Sequence, residues 1–462
     1  MFSIFLGDQM KFNLFISFFL LVSFSRAWGF CGFYVAKADA NLYNKASQVV
    51  LVRDENKTVL SMMNDYEGDL KKFAMVVPVP TVLKKGQIHV GNSSLFSHID
   101  SFTAPRLVEY FDSDPCAAQK MFLMKNSAMD FAEMATGGPE MAKGKRLGVK
   151  VEAEYTVGEY DIVILSAKES NGLETWLIEQ GYNIPKGAHE ALAPYIKQKL
   201  KFFVAKVNLE EQAKTGLSKL RPLQFAFESE KFMLPIRLGM INAKGPQELL
   251  VYVVTKNGRV ETTNYRTVKL PTGMDIPVFV KNEFGDFYKS MFDTQVKKED
   301  MRAVFTEHFW DMSWCDPCAA DPMSSEELRE LGVFWLPGQD GQRTKMSQSM
   351  GGVSQVKVTR LHLRYTKEKF PEDLLFQETK DTENFQGRYV LRHRWSGNKD
   401  KCSEAKVYLD GLPKLYEVEA KNLASLTGWE INSIRKKMNF EAPSESNSKS
   451  SHQSWWEKIW GK

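Results

Sequence analysis

The sequence predicts an α+β protein that is predominantly antiparallel β-sheet with several packed helices, in one large unit or two lobes. Short apolar runs with strand character dominate the chain, turn-like segments separate several of them, and a few windows show helical spacing instead. Of the 462 residues, 43% are hydrophobic and 26% are charged, which is ordinary globular usage and enough for a sizeable core.

The composition also excludes some classes of protein. Hydrophobic content at this level argues against a largely disordered chain, and the absence of repeated long apolar stretches argues against a polytopic membrane protein. The net charge of +4 does not indicate a nucleic-acid partner, and we expect none.

The N-terminal residues have the pattern of a secretory signal. Lys11 precedes the apolar stretch 12–22, and the small residues Ala27 and Gly29 precede a cleavage position before Phe30. The apolar stretch is shorter than the ~20 residues that span a bilayer as a helix. We therefore predict a signal peptide over residues 1–29 and export to the periplasm or cell envelope. An uncleaved anchor is the alternative, and Met10 is an alternative start of translation.

The first elements after this signal are strands. Residues 48–53 and 58–63 flank a turn-like segment and predict a β-hairpin, and residues 73–77 predict a buried strand that Pro78 stops. Residues 116–146 predict a loop-rich insert.

The middle of the chain mixes both kinds of element. Strands are predicted near residues 149–155, 160–165 and 202–207, and two helices lie between residues 173 and 200. Residues 222–270 predict a β-meander with a tight turn at Asn257-Gly258.

The last third predicts helices over residues 281–301 and 403–438, with strands between them. The predicted main unit covers residues 30–440, with 30–280 and 281–440 as its lobes if there are two. Residues 441–454 are a polar linker.

The tail 455–462 is rich in tryptophan. A helical turn would place Trp455, Trp456, Ile459 and Trp460 on one face, which indicates weak contact with a membrane surface or a partner groove. A frayed tail, or one folded back on its own domain, is the alternative.

The five cysteines are first of all disulfide candidates in an exported protein. Cys315 and Cys318, in the motif Trp-Cys-Asp-Pro-Cys, predict a local disulfide. Cys31 and Cys116 lie in one β-rich region and are candidates for a second bond.

The same motif also has a catalytic interpretation. A thiol–disulfide oxidoreductase would use Cys315 as the nucleophile and Cys318 as the resolving thiol. Pro322 follows too soon for the long helix that this chemistry normally needs, so a structural disulfide is favoured. The same region also offers four metal ligands of mixed type: His308, Asp311, Cys315 and Cys318. These four residues do not form the regular ligand pairs of a usual zinc site. We expect no metal and no cofactor.

The order of several segments resembles an uncharacterised family of exported bacterial proteins. The resembling stretches are residues 30–35, 73–80 with its Val-Pro-Val-Pro end, 103–110, 176–185, 223–229, 235–238 and 314–318. The resemblance covers most of residues 30–440. It implies export and a single family-wide unit, and it implies no activity, cofactor or catalytic residue.

Together these observations favour a non-enzymatic binding or structural protein of the periplasm or envelope, with an unknown protein or envelope partner. The thiol–disulfide oxidoreductase is the main alternative. A hydrolase whose site is assembled from distant residues is a third class, because such triads need not be local in sequence.

Overall fold

The structure is a computed structural model. It describes residues 33–36, 43–67, 73–117, 150–167, 170–180, 182, 187–215, 220–241, 243, 245–313, 321–336 and 355–439.

Strands make up most of the regular structure in these ranges. In chain order they are β1 (Phe33–Ala36), β2 (Tyr43–Asp54), β3 (Lys57–Glu67), β4 (Phe73–Val79), β5 (Ile88–Val90), β6 (Arg106–Phe111), β7 (Lys150–Val157), β8 (Tyr160–Ser166), β9 (Lys201–Val207), β10 (Leu223–Glu228), β11 (Met233–Leu234), β12 (Gln247–Thr255), β13 (Val260–Thr262), β14 (Arg266–Lys269), β15 (Met274–Ile276), β16 (Ala303–Asp311), β17 (Lys357–Tyr365), β18 (Leu374–Glu378), β19 (Phe385–Gln386) and β20 (Arg388–His393).

The α-helices lie between these strands and at the end of the described chain. They are α1 (Ser93–Thr103), α2 (Ser170–Glu179), α3 (Ala188–Lys197), α4 (Leu209–Thr215), α5 (Phe284–Lys298), α6 (Ser325–Glu330), α7 (Ser403–Thr427) and α8 (Ile431–Lys437). No helix of the described part of the chain is both long and apolar enough to cross a membrane.

Four sheets organise these strands. The largest has the order β14-β16-β17-β12-β2-β3-β10-β5, with β19 added beside β16, and the second has the order β1-β4-β9-β8-β7. Two three-stranded sheets follow the orders β11-β18-β13 and β15-β20-β6. Most strand pairs are antiparallel, and the parallel pairs are β2 with β12, β14 with β16, β15 with β20, and β6 with β20. The predicted α+β class is confirmed.

The two large sheets pack face to face, and successive side chains of each strand point to opposite faces of its sheet. Val49 and Leu51 of β2 point into the core between the sheets, together with Val251 of β12 and Phe203 of β9. The intervening Val50 belongs to a second core, on the other face of the largest sheet.

Helices cover the outer faces of both large sheets. Helices α2 and α3 pack on the second sheet, and α1 packs on the outer face of the largest sheet. Helices α5 and α7 enclose a further core against the sheet β15-β20-β6 and the neighbouring end of the largest sheet. The result is a layered arrangement in which helices form the outside and sheets the inside.

The predicted hairpin is confirmed, with β2 and β3 joined through the two-residue turn Glu55-Asn56. The strand β4 is also confirmed, but it continues past Pro78 to Val79. Pro78 pairs with Phe202 of β9, while the described part of β1 pairs with β4 only as far as Val76. Pro78 therefore lies where β4 has a described neighbour on one side only.

The predicted β-meander over residues 222–270 is wrong. Strands β10, β12 and β14 belong to the largest sheet but are not neighbours in it, and β11 and β13 both pair with β18 in a three-stranded sheet. The backbone N–H groups of Asn257 and Gly258 donate to Oε1 of Glu378 at 2.7 and 2.8 Å. Only glycine fits at 258, because a Cβ there would lie 1.8 Å from the carbonyl oxygen of Thr379. The turn therefore docks on β18 and does not close a hairpin.

Candidate functional site

A network of buried charged side chains lies between β16, β17 and β12 under helices α1 and α5. Its centre is Glu307, which is fully buried in β16. Thr306 pairs with Leu361 and His308 pairs with Arg360, so Glu307 is the extra residue of a β-bulge.

Three side chains donate to this carboxylate. Nε of Arg360 donates to Oε2 at 2.7 Å, while Nδ1 of His362 and the hydroxyl of Tyr288 lie 2.9 and 2.6 Å from Oε1. Arg360 also donates to Oδ1 of Asp100 at 2.7 Å, which ties α1 to the sheet. These residues are called the interior network below.

The interior network continues toward α5. Arg364 donates to Glu248 and pairs with Asp293, with 2.8 Å between Nη2 and Oδ1 of the latter. The ring of Phe292 stacks on the imidazole of His362, with 3.7 Å between ring centroids. The far nitrogen of His362 lies 3.8 Å from Oε2 of Glu248, so the imidazole is placed between two carboxylates.

The charges of the network stabilise one another. Burial alone would raise the pKa of Glu307, but His362 and Arg360 outweigh it and lower the pKa to about 2. Burial would lower the pKa of His362, but Glu307 and Glu248 outweigh it and raise the pKa. The network is therefore a buried arrangement of paired charges that links α1, α5 and three strands.

His308, the next residue on β16, has a different environment. It is 1% exposed, and neither ring nitrogen has a hydrogen-bond partner. Burial, with the nearby Arg106 and Arg360, lowers its pKa to about 3, so the ring is neutral.

The metal site considered for His308 and Asp311 gains no support from the described residues. Asp311 forms an ion pair with Lys357 at 2.5 Å. No group of three or more His, Cys, Asp or Glu side chains in the described ranges has a metal-binding arrangement. Cys315 and Cys318 lie outside the described residues.

A cleft of about 530 Å³ opens between the end of α3 and the sheet β11-β18-β13. We call it the Asp373 cleft, and its lining residues are Pro194, Lys197, Gln198, Lys231, Phe232, Met233, Arg237, Thr263, Asn264, Glu372, Asp373, Leu375 and Phe376. A smaller cleft of about 300 Å³ shares Pro194 and Arg237 with it. Both volumes are of the order of small-ligand sites, about 300–1,000 Å³.

One wall of this cleft is held rigidly by a buried carboxylate. Asp373 is 3% exposed and accepts from the hydroxyl of Tyr195 at 2.6 Å and from the backbone N–H of Ile236 at 3.0 Å. Nη2 and Nε of Arg237 donate to its other oxygen at 2.7 and 3.2 Å. The guanidinium also lies 5.1 Å from the ring centre of Tyr195. The buried carboxylate of Asp373 thus holds the Arg237 side chain at the edge of the cleft.

The rest of the lining combines cationic, amide and aromatic groups. Lys197 and Lys231 are exposed, and Nζ of Lys231 donates to Gln198 at 2.7 Å. Phe232 and Phe376 form a tilted aromatic pair with 5.2 Å between ring centroids. A few fixed polar groups around an apolar wall is the usual composition of a ligand site.

A second cleft, of about 540 Å³, lies between β20, the turn 277–279 and helices α7 and α8. We call it the Tyr416 cleft, and its lining residues are Pro277, Val278, Phe279, Arg392, His393, Arg394, Tyr416, Glu419, Lys437, Met438 and Asn439. Arg394 donates to Glu419 at 2.5 Å, and its buried Nε has no hydrogen-bond partner. Burial raises the pKa of Glu419, although Arg394 opposes the effect.

A disulfide holds the first turn of α7 beside this region. Cys116 is bonded to Cys402, the N-cap residue of α7, across a sequence separation of 286 residues. The suggested pairing of Cys116 with Cys31 is therefore corrected. The parallel pairing of β6 with β20 brings the chain after β6 close to the start of α7, so that residues far apart in sequence become neighbours.

Two carboxylates that follow β6 have cationic partners beside this bond. Asp112 accepts from Tyr408 at 2.5 Å and from Arg394 at 3.3 Å, and Asp114 accepts from Lys401. Both carboxylates therefore tie the chain after β6 to the segment between β20 and α7 and to α7 itself.

Several predicted residues cannot be placed. Cys31, the motif of Cys315 and Cys318, and the tail with Trp455, Trp456, Ile459 and Trp460 all lie outside the described residues. The Asp373 cleft was not predicted, although residues 235–238, which include Arg237, are one of the stretches that carried the family resemblance.

A family profile, described as an uncharacterized protein conserved in bacteria (DUF2330), matches residues 26–377. The chain belongs to this family. No curated protein and no solved structure shows significant similarity to this chain.

The extent of the family match separates the two clefts. Every residue that lines the Asp373 cleft lies within residues 26–377, whereas eight of the eleven residues that line the Tyr416 cleft lie between residues 392 and 439, beyond the match. The Asp373 cleft is therefore the candidate site for a property that members of the DUF2330 family share.

Proposed function

We propose that this protein is an exported, non-enzymatic binding protein of the bacterial periplasm or envelope, and that it binds an anionic ligand in the Asp373 cleft. The observation that carries the proposal is the cleft itself. It is open to solvent, lies in the family region, and has its cationic edge fixed by the contact of Arg237 with buried Asp373.

The chemistry of the lining supports the ligand class. Lys197, Lys231 and Arg237 line the cleft, and the first two project into solvent. Carboxylate or phosphate groups would pair with these cations, while Phe232 and Phe376 offer an apolar surface to the rest of the ligand.

Two observations support export. The N-terminal residues have the order of a cleavable secretory signal, and the disulfide between Cys116 and Cys402 belongs to an oxidising compartment. Fractionation of bacterial cells, with intact mass of the purified product, tests this part. A cytoplasmic product that keeps residues 1–29 and has all five thiols free would refute it.

Binding is tested with a fluorescein-labelled hexaglutamate peptide and, as the control ligand, hexalysine. We expect hexaglutamate to bind and the charge reversals Lys197→Glu and Lys231→Glu together to weaken its binding by about tenfold or more. The matched control reverses two exposed lysines outside the cleft, Lys57 and Lys214, and should bind as the parent does. Equal affinity of both double variants, or equal binding of hexalysine, would contradict the proposal.

The reduction potential of the Cys315 and Cys318 pair distinguishes the oxidoreductase alternative from the proposed binding protein. A potential below about −300 mV indicates a structural disulfide, whereas a value between about −270 and −120 mV, with an exposed low-pKa Cys315, supports redox catalysis.

A further inference from the structure

The Tyr416 cleft has a chemistry that suits an indole ring. Its lining includes the apolar residues Val278, Phe279 and Met438 and the cationic residues Arg392 and Arg394. Tryptophan combines a large apolar surface with an N–H donor, and its ring face attracts guanidinium and ammonium groups.

The position of the cleft relative to the chain identifies a source of such rings. Lys437, Met438 and Asn439 line the cleft, and the described structure ends at Asn439. The next part of the sequence therefore starts at the cleft wall. It consists of Phe440 and the polar linker 441–454, followed by the segment 455–462 with Trp455, Trp456 and Trp460.

The length of the polar segment is suitable for a return to the cleft. A flexible segment of this length has a root-mean-square span of about 20 Å, which is larger than the cleft and shorter than the protein. Tethering of this kind corresponds to an effective concentration of the order of mM, so that even weak affinity would keep the cleft filled.

We propose that the tryptophan-rich segment 455–462 docks in the Tyr416 cleft of its own chain. This inference is independent of the proposed function, because the Tyr416 and Asp373 clefts share no lining residue. Occupation of the cleft would cover the apolar surface of Phe279 and give the tryptophan rings cationic partners in Arg392 and Arg394.

The first test compares the full chain with a variant that lacks residues 441–462, which keeps every described residue. The probe is a fluorescein-labelled peptide of residues 453–462. We expect the shortened chain to bind the peptide and the full chain to bind it at least about tenfold more weakly, because its own segment competes. A peptide with Trp455, Trp456 and Trp460 replaced by Ala should not bind. Failure of the shortened chain to bind, or equal binding by both chains, would overturn the proposal.

A variant in the cleft locates the contact. Val278→Lys places a charge among the apolar lining residues and should abolish peptide binding by the shortened chain. Val151→Lys makes the same change at an exposed site on β7 and should leave peptide binding intact. Equal effects of the two substitutions would exclude the cleft as the docking site.

Hydrogen exchange distinguishes docking in the cleft from membrane contact. Removal of residues 441–462 should speed amide exchange at residues 392–394 and 437–439 by about tenfold, while exchange in α1 stays unchanged. If exchange at the cleft does not change and the full chain alone binds phosphatidylglycerol vesicles, the segment is a membrane contact and the proposal is wrong.

Discussion

Replacement of Glu307 by Gln tests whether the interior network stabilises the fold through its charges. The variant keeps the shape of the side chain but removes the negative charge that faces Arg360 and His362. Loss of one partner from a buried charge pair costs about 3–5 kcal/mol, because the remaining charge stays in a poorly solvated place. Glu307 is fully buried and has three donors within 2.9 Å, so we expect a loss in this range.

The assay is guanidinium unfolding at pH 6, followed by tryptophan fluorescence. Glu211→Gln is the matched control, because Glu211 pairs with Lys214 at 2.6 Å on the surface of α4. Surface pairs of this kind contribute up to about 1 kcal/mol, so the control should unfold almost as the parent does.

A double variant separates charge from shape. Glu307→Gln combined with Arg360→Met removes both the carboxylate and the cation that it neutralises, so we expect the double variant to be less destabilised than the sum of the single variants. If Glu307→Gln loses less than about 1 kcal/mol, or if the two substitutions are additive, the network does not act through paired buried charges.

Three further predictions concern pH, the disulfide and the Asp373 cleft. Folding raises the pKa of His362, so its contribution to stability is complete below about pH 6.5 and is lost as the pH rises through the folded-state pKa. Unfolding free energies measured from pH 5 to 9 should show this fall, and His362→Phe should make the fall smaller. Replacement of both Cys116 and Cys402 by Ser should lower the unfolding free energy by about 2–5 kcal/mol under non-reducing conditions, and an unchanged value would show that the ion pairs around α7 hold it without the bond. Tyr195→Phe removes the donor to Asp373 and should cost about 1.5–3 kcal/mol in the same unfolding assay, whereas a loss below about 0.5 kcal/mol would mean that the hydroxyl does not support the cleft wall.

The local elements of this protein could be predicted because they depend on residues that are close in sequence. The β2–β3 hairpin follows from two apolar runs around a turn, and the helices near residues 284–298 and 403–437 follow from their periodicity. The α+β class follows from the same evidence, and the family resemblance from the order of short stretches along the chain.

The pairing of distant elements could not be predicted in the same way. The strands of the predicted meander are divided between two sheets, and none pairs with the next one along the chain; β12, for example, lies between β2 and β17. Cys116 meets Cys402 only because β6 and β20 lie side by side. Neither the strand pairing nor the disulfide pairing produces a periodic pattern in the sequence.

Composition and local pattern were sufficient to predict many of the element types, the family and the expectation of export, although α1, β5 and β6 were not predicted. The tertiary structure decided which polar residues meet. Glu307 and Asp373 are ordinary carboxylates in the sequence, and each becomes the centre of a buried cluster only when distant segments of the chain supply its donors. The physical reason is that a buried charge must be paired, and its partners are found across the core and not along the chain.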